Sequence, residues 1–266
     1  MLCQTVIGVI DQGIWPENPS FADVPTPEFG NTGDLIPYGP VPDSFTGDAC
    51  VFGHTDFNPD DVPFTCNNKL VAARCYALSF SVKRNLVCGG DGALLRSGSY
   101  LSARDDDSHG THVASTAAGN YGVDAIIDGV SQGIISGMAP RARVAAYKVC
   151  WLGSDGDGCG DADILAAIDD AIADGVDVIN FSVGASGLSV PTATAWLNVE
   201  TAGIAVATSA GNSGPSTCLI FQMVWIPVSN FSSNFVSTQN KTRSDSLQPC
   251  LGLQASPVLQ KMLFNR

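Results

Sequence analysis

At 266 residues and 45% apolar content, the chain can build an ordinary buried core in one large domain or two small ones, which sets aside a disordered chain. Its 26 acidic and 13 basic residues give a formal charge of −13, so no nucleic-acid partner is expected, because phosphate binding needs a basic face. No apolar run reaches the roughly 18 residues of a spanning helix, and no membrane partner is expected.

Met1 to Gln4 lead straight into an apolar segment with no basic region and no small-residue cleavage site, so no signal peptide is read here. Val6 to Ile10 is a short β-branched run of the buried kind. Asp11 follows it and precedes Gln12-Gly13, which puts a carboxylate at the carboxyl end of a strand. In open α/β sheets that edge binds ligands, although an aspartate ending a strand also serves as a turn residue. Residues 16–68 are rich in Pro, Gly, Asp and Asn without a sustained period, and long surface loops are expected across 16–104. His54 lies in this polar stretch and reads as a solvated side chain.

The segment Asp105 to Gly119, DDDSHGTHVASTAAG, places His109 at the start of a small-residue helix with Ser108 or Asp107 available as N-cap. A histidine at that place faces solvent or a cleft. Gly110 and the alanines let another segment approach closely, as a catalytic base requires. His112, one turn on, reads as structural.

From residue 140 to 212 the pattern is strand, helix, strand, helix, strand, which implies parallel strands with helical crossovers. The expected elements are a strand at Arg143 to Cys150, a helix at Asp161 to Asp174 closed by Gly175, and a strand at Val176 to Val183. A helix at Pro191 to Ala202 and a strand at Ile204 to Ala210 follow. Asn212 again stands at the carboxyl end of a strand, where its amide could donate to an oxyanion or simply form a turn beside two glycines. From Ser216 the composition shifts, and 216–266 reads as a divergent tail.

Nine cysteines suit an oxidising compartment, and the odd number leaves at least one unpaired. No CxxC pair occurs and only three histidines are available, so no metal and no cofactor are expected. Asp155, Asp157, Asp161 and Asp163 lie close together but fail the helix-loop-helix calcium template, and they read as a solvated acidic loop capping the next helix. Glycosylation sequons occur at Asn180, Asn230 and Asn240, the first on a strand read as buried.

Taken together, Asp11, HGTHVAS from His109 and TSAGNSGP from Thr208, in this order, resemble the subtilisin family of serine proteases over Val6 to Pro215. GIWPENPSF, CNNKLVAARCY and ADILAAIDDAIADGVDVIN look like its plant-type, cucumisin-like branch. The resemblance implies a three-layer α/β fold with a mostly parallel central sheet, incomplete at the C-terminus. Residues 1–215 would form a partial peptidase domain. It implies that Asp11 orients His109, that His109 exchanges the proton of a nucleophilic serine, and that Asn212 holds the oxyanion. Ser182, Val183 and Gly184 would form the substrate strand, alongside which an extended polypeptide adds by backbone hydrogen bonds. Cys50 with Cys66 and Cys150 with Cys159 look like disulfide pairs, and the full-length parent would be secreted.

Two departures stand out. Gln12 occupies a place where the family carries Thr or Ser, and no serine segment of the form GTS-[small]-A-x-P follows Asn212. Ser209 lies in the strand leading to Asn212 rather than at a helix start and does not replace it. The reading is therefore a subtilisin-type endopeptidase whose present chain is inactive alone. The alternatives are a non-catalytic peptide-binding pseudoprotease or a gene-model fragment.

Overall fold

The computed structural model describes residues 4–24, 26–27, 35–47, 50–51, 53, 55–80, 88, 95–154, 156–184, 190–209 and 212. The readings on His54, on Asn230 and Asn240, on Cys3, Cys218 and Cys250, and on 216–266 lie outside these residues.

In chain order the elements are β1 (Val6–Asp11), β2 (Thr26–Pro27), β3 (Leu35–Ile36), β4 (Leu70–Cys75), α1 (His109–Ala118), β5 (Val123–Ile127), β6 (Val130–Ile135) and β7 (Arg143–Lys148). They continue with β8 (Cys150–Trp151), β9 (Gly158–Cys159), α2 (Asp161–Asp174), β10 (Val178–Phe181), α3 (Val190–Thr201) and β11 (Ala205–Thr208). Five strands form one sheet in the order β11-β10-β1-β7-β4, and every pairing in it is parallel. Parallel pairing follows from the helical crossovers, since a strand can be re-entered in the same direction only after the chain has crossed over a face of the sheet.

Side-chain alternation along β1 builds the two cores. Val6 and Ile10 point to the face covered by α2 and α3, where Ile164, Ala167, Ile168, Trp196 and Val199 are buried. Ile7 and Val9 point to the other face, against Ala114 and Ala118 of α1 with Phe21 and Phe64. The result is a three-layer α/β arrangement, and the same alternation carries Asp11 to the α1 face.

The main differences from the sequence reading are three. β4 lies inside the stretch expected to be loops at 16–104, and it forms an edge of the main sheet beside β7. Its run LVAARC is buried on both faces, so it shows no alternation, and its two alanines weaken the strand signal. The antiparallel hairpin of β5 and β6 was not anticipated either. The third difference is the cap of α1. Ser108 holds the N-cap position in a left-handed conformation, φ 77°, without a side-chain hydrogen bond to the helix, and Asp105 takes over that work as described below. Elsewhere α2 and its Gly175 closure coincide with the expectation, and the strand and α3 ends move by one or two residues.

Three disulfides are present among the described residues: Cys50–Cys66, Cys75–Cys88 and Cys150–Cys159. The Cys75–Cys88 pair was not singled out in the sequence.

Candidate active site

β1 delivers Asp11 at the carboxyl end of the central strand, with 1% of its surface exposed. Its Oδ1 lies 2.7 Å from His109 Nδ1 and also accepts the Gln12 backbone N–H at 2.8 Å. The imidazole stands on the first residue of α1 with its side chain 49% exposed, so its acidic partner is buried while the ring itself meets solvent. With Asp11 accepting from Nδ1–H, Nε2 is left as the basic nitrogen.

Two glycines permit this contact. A Cβ at Gly110 would collide with the Gly13 carbonyl, and a Cβ at Gly13, whose φ is +114°, would come within 2.6 Å of Ala103 O. The close approach that Gly110 permits is therefore to the backbone just after Asp11, and it draws acid and base together.

Burial raises the proton affinity of the Asp11 carboxyl, and the hydrogen bonds from His109 and Gln12 act against that rise. The His109 pKa is also raised, chiefly by its hydrogen bond to Asp11, with the charges of Asp105 and Asp107 adding to the effect. A base so held takes up a proton readily while its ring orientation stays fixed.

Two neighbours, Asp105 and Lys148, were not recognised in the sequence. Asp105 is buried, and its Oδ1 accepts from the N–H groups of Asp107 and Ser108 at 3.0 and 2.9 Å. Its Oδ2 accepts from Thr111 N–H and Thr111 Oγ1–H at 2.7 and 2.6 Å. Lys148, opposite Asp11 in the β1–β7 register, is fully buried. It donates to Arg104 O at 2.6 Å, lies 3.3 Å from Asp106 Oδ1 and 4.3 Å from the centre of the Trp151 ring. Burial lowers the Lys148 pKa and raises that of Asp106. The signal for Asp105 was its place at the head of DDDS, four residues before the first residue of the helix. A buried lysine ending a strand leaves no comparable mark.

The remaining candidates lie on the same carboxyl edge. Ser182, Val183 and Gly184 continue β10 past Phe181, which pairs with Ile10 of β1. Ser182 and Val183 are half-buried and Gly184 is exposed. Asn212 is exposed, four residues after the end of β11 at Thr208. Among the described residues no hydrogen bond joins these candidates to the Asp11–His109 pair. Ser209 donates its backbone N–H to Phe181 O at 3.2 Å. His112 is exposed. Of the acidic loop, Asp157 pairs with Arg96 at 2.7 Å, and Asp163 accepts from the N–H groups of Leu78 and Ser79. Among the described residues no three His, Cys, Asp or Glu side chains are grouped to hold a metal.

The family Peptidase_S8, the subtilase family, matches residues 4–244, which runs past the Pro215 limit of the sequence resemblance. The subtilisin-like protease SBT1.4 of Arabidopsis thaliana is 42% identical over 217 residues, 79% of this chain and 24% of its own length. SBT1.5 of the same plant is 43% identical over 224 residues, 81% of this chain and 24% of its own length. The chain thus spans about a quarter of the curated relatives it matches. Among solved structures, the S41 psychrophilic protease is similar with a TM-score of 0.42 and 24% identity, covering 80% of this chain and 47% of its own.

Proposed function

Because this chain belongs to the subtilase family, we propose that it carries the acid–base half of a serine endopeptidase site, with His109 as general base and Asp11 as its orienting carboxylate. The observation that supports this reading is the 2.7 Å contact between His109 Nδ1 and a buried Asp11 oxygen. In such a site His109 Nε2 removes the proton from a serine hydroxyl as that oxygen attacks the peptide carbonyl. It then returns the proton to the departing amine, while Asp11 stabilises the imidazolium formed between the two steps. Asn212 is the proposed oxyanion donor. An extended polypeptide would lie along Ser182, Val183 and Gly184, pairing through backbone hydrogen bonds with this segment beyond the end of β10.

The 266 residues contain no match to the family's serine segment, so hydrolysis by this chain alone is expected to be negligible. Loss of the serine from subtilisin, a measured example rather than a result for this protein, lowers turnover about 10⁶-fold. The parent protein is proposed to be extracellular, a reading that the disulfides support.

A fluorophosphonate probe, which acylates activated serines, tests the assignment. The 266-residue chain should remain unlabelled beside an active subtilase control. A fusion of the same chain to a serine-bearing segment of that control should be labelled, and His109→Ala should abolish the label. Labelling of the unfused chain would overturn the reading that it lacks a nucleophile. Labelling of the fusion that survives His109→Ala would overturn the role of His109.

A further inference from the structure

We propose that Asp105 is a positioning residue for the acid–base pair, acting as a clamp that locks the first turn of α1 to the loop following Asp11. The inference rests on the reading of Asp11 and His109 given above and deepens it.

Asp105 holds both segments at once. Its carboxylate accepts the N–H groups of Asp107, Ser108 and Thr111, so the backbone on both sides of His109 is bound to a single side chain. These are N–H groups that precede or begin a helix and have no partner within it, and a negative charge there complements the helix dipole. Through the same oxygen Asp105 accepts the Thr111 hydroxyl at 2.6 Å, and that hydroxyl accepts the Trp15 N–H at 3.0 Å. Its own backbone N–H donates to Ile14 O at 3.1 Å. Ile14 and Trp15 lie three and four residues beyond Asp11, so the path Asp105–Thr111–Trp15 ties the strand end bearing the acid to the helix start bearing the base.

The arrangement exceeds what an ordinary cap supplies. The N-cap residue, Ser108, adopts φ 77° and makes no side-chain cap bond, so its own side chain does not fix the helix start. Asp105 is 4% exposed, and solvent therefore competes little for its oxygens. Its charge also adds to that of Asp11 and of the exposed Asp107 in favouring protonated His109. Asp105 thus acts on the pair both through geometry and through field, whereas Asp107, which accepts no helix N–H, acts through field alone.

The test uses proton NMR of the full 266-residue chain. The reporters are the low-field Nδ1–H resonance of His109, assigned by its loss in His109→Gln, and the titration midpoint of the His109 ring. Asp105→Asn is expected to abolish the low-field resonance and lower the midpoint. Asp107→Asn is expected to lower the midpoint while keeping the resonance. Thr111→Val, which breaks the link without changing charge, should weaken the resonance, and Thr111→Ser should restore it. A folded Asp105→Asn that keeps the resonance, with a midpoint no lower than that of Asp107→Asn, would overturn the clamp. If Asp105→Asn does not fold, the Thr111 pair decides, and a resonance unchanged in Thr111→Val overturns the proposal. If the parent chain itself lacks a low-field resonance, the Asp11–His109 contact is refuted and the clamp falls with it. That outcome differs from failure of the clamp alone, in which the parent signal is present.

Discussion

The two halves of the main sheet are built differently. On one side β1 and β7 are buried along their whole length and β4 nearly so, because α1 and α2 cover them from opposite faces. All three disulfides among the described residues belong to this side: Cys75 ends β4, Cys150 begins the segment after β7, and Cys50 bridges to Ala73 of β4. On the other side β10 alternates between buried and half-buried positions, and β11, at the sheet edge, is mostly exposed. Asp11 and His109 stand on the pinned half, whereas Ser182, Val183, Gly184 and Asn212 lie on the open half. The contrast fits the function proposed above, since a proton relay would work only within tenths of an ångström and a surface receiving a peptide by backbone pairing would need exposed backbone.

If the disulfides are what pins that half, reducing them should produce the largest change. Their sequence separations of 16, 13 and 9 residues each close a loop that removes about 3 kcal/mol of denatured-state entropy on the chain-entropy account. Thiol treatment is expected to lower unfolding stability by at least about 3 kcal/mol. Hydrogen exchange should then show the amides of β4 and β7 losing more protection than those of β10. Equal loss across the five strands would remove the distinction between the halves.

A single methyl group gives the next largest contrast. In an open helix Gly→Ala stabilises by about 1 kcal/mol, but at Gly110 the added Cβ meets the Gly13 carbonyl, a backbone atom that cannot rotate away. Gly110→Ala is expected to cost about 3 kcal/mol net and to separate His109 from Asp11. On the open half a Cβ at Gly184 would have nothing within 4 Å, and Gly184→Ala should change stability by less than about 0.5 kcal/mol. Denaturant midpoints at constant slope measure both, and a neutral Gly110→Ala would show that the pinned half yields more than its packing suggests.

The same contrast shows what the sequence could convey. The helix α2 was legible because DILAAIDDAIAD repeats its apolar residues at helical spacing and ends at a glycine with φ +79°. Asp11 and His109 were singled out because each lies at an element boundary with a glycine one or two residues on, and the structure brings the two side chains together. β4 was not, because a strand buried on both faces and rich in alanine has neither period nor propensity. The β5–β6 hairpin had a readable signal in Asp128-Gly129, both at positive φ as a tight two-residue turn requires, but the exposed isoleucines on either side of it resemble a core segment. The link from Asp105 through Thr111 to Trp15 and the partners of Lys148 could not be read locally. Lys148 joins β7 to a segment more than 40 residues away, and the Asp105 cap works through a non-local loop at Trp15.

The smallest expected effect is a pH dependence on the pinned half. His109 has its pKa raised above the ordinary imidazole value of 6.5 in the folded chain by its hydrogen bond to Asp11. Between the unfolded and folded values the native state therefore holds more proton than the unfolded chain, and unfolding releases it. The stabilisation is fully present below about 6.5 and is lost as pH rises through the folded pKa. Asp11 contributes with the same sign, because burial raises its pKa above the ordinary 3.8 and its share too is lost as pH rises. The imidazole is half-exposed, which screens the interaction and keeps the slope shallow. Denaturant midpoints from about pH 5.5 to about pH 9 should fall gently in the parent and stay level across the histidine window in His109→Gln. A parent midpoint that rises through that window would mean that burial of the ring outweighs its bond to Asp11, and the pinned half would then hold the base without raising its basicity.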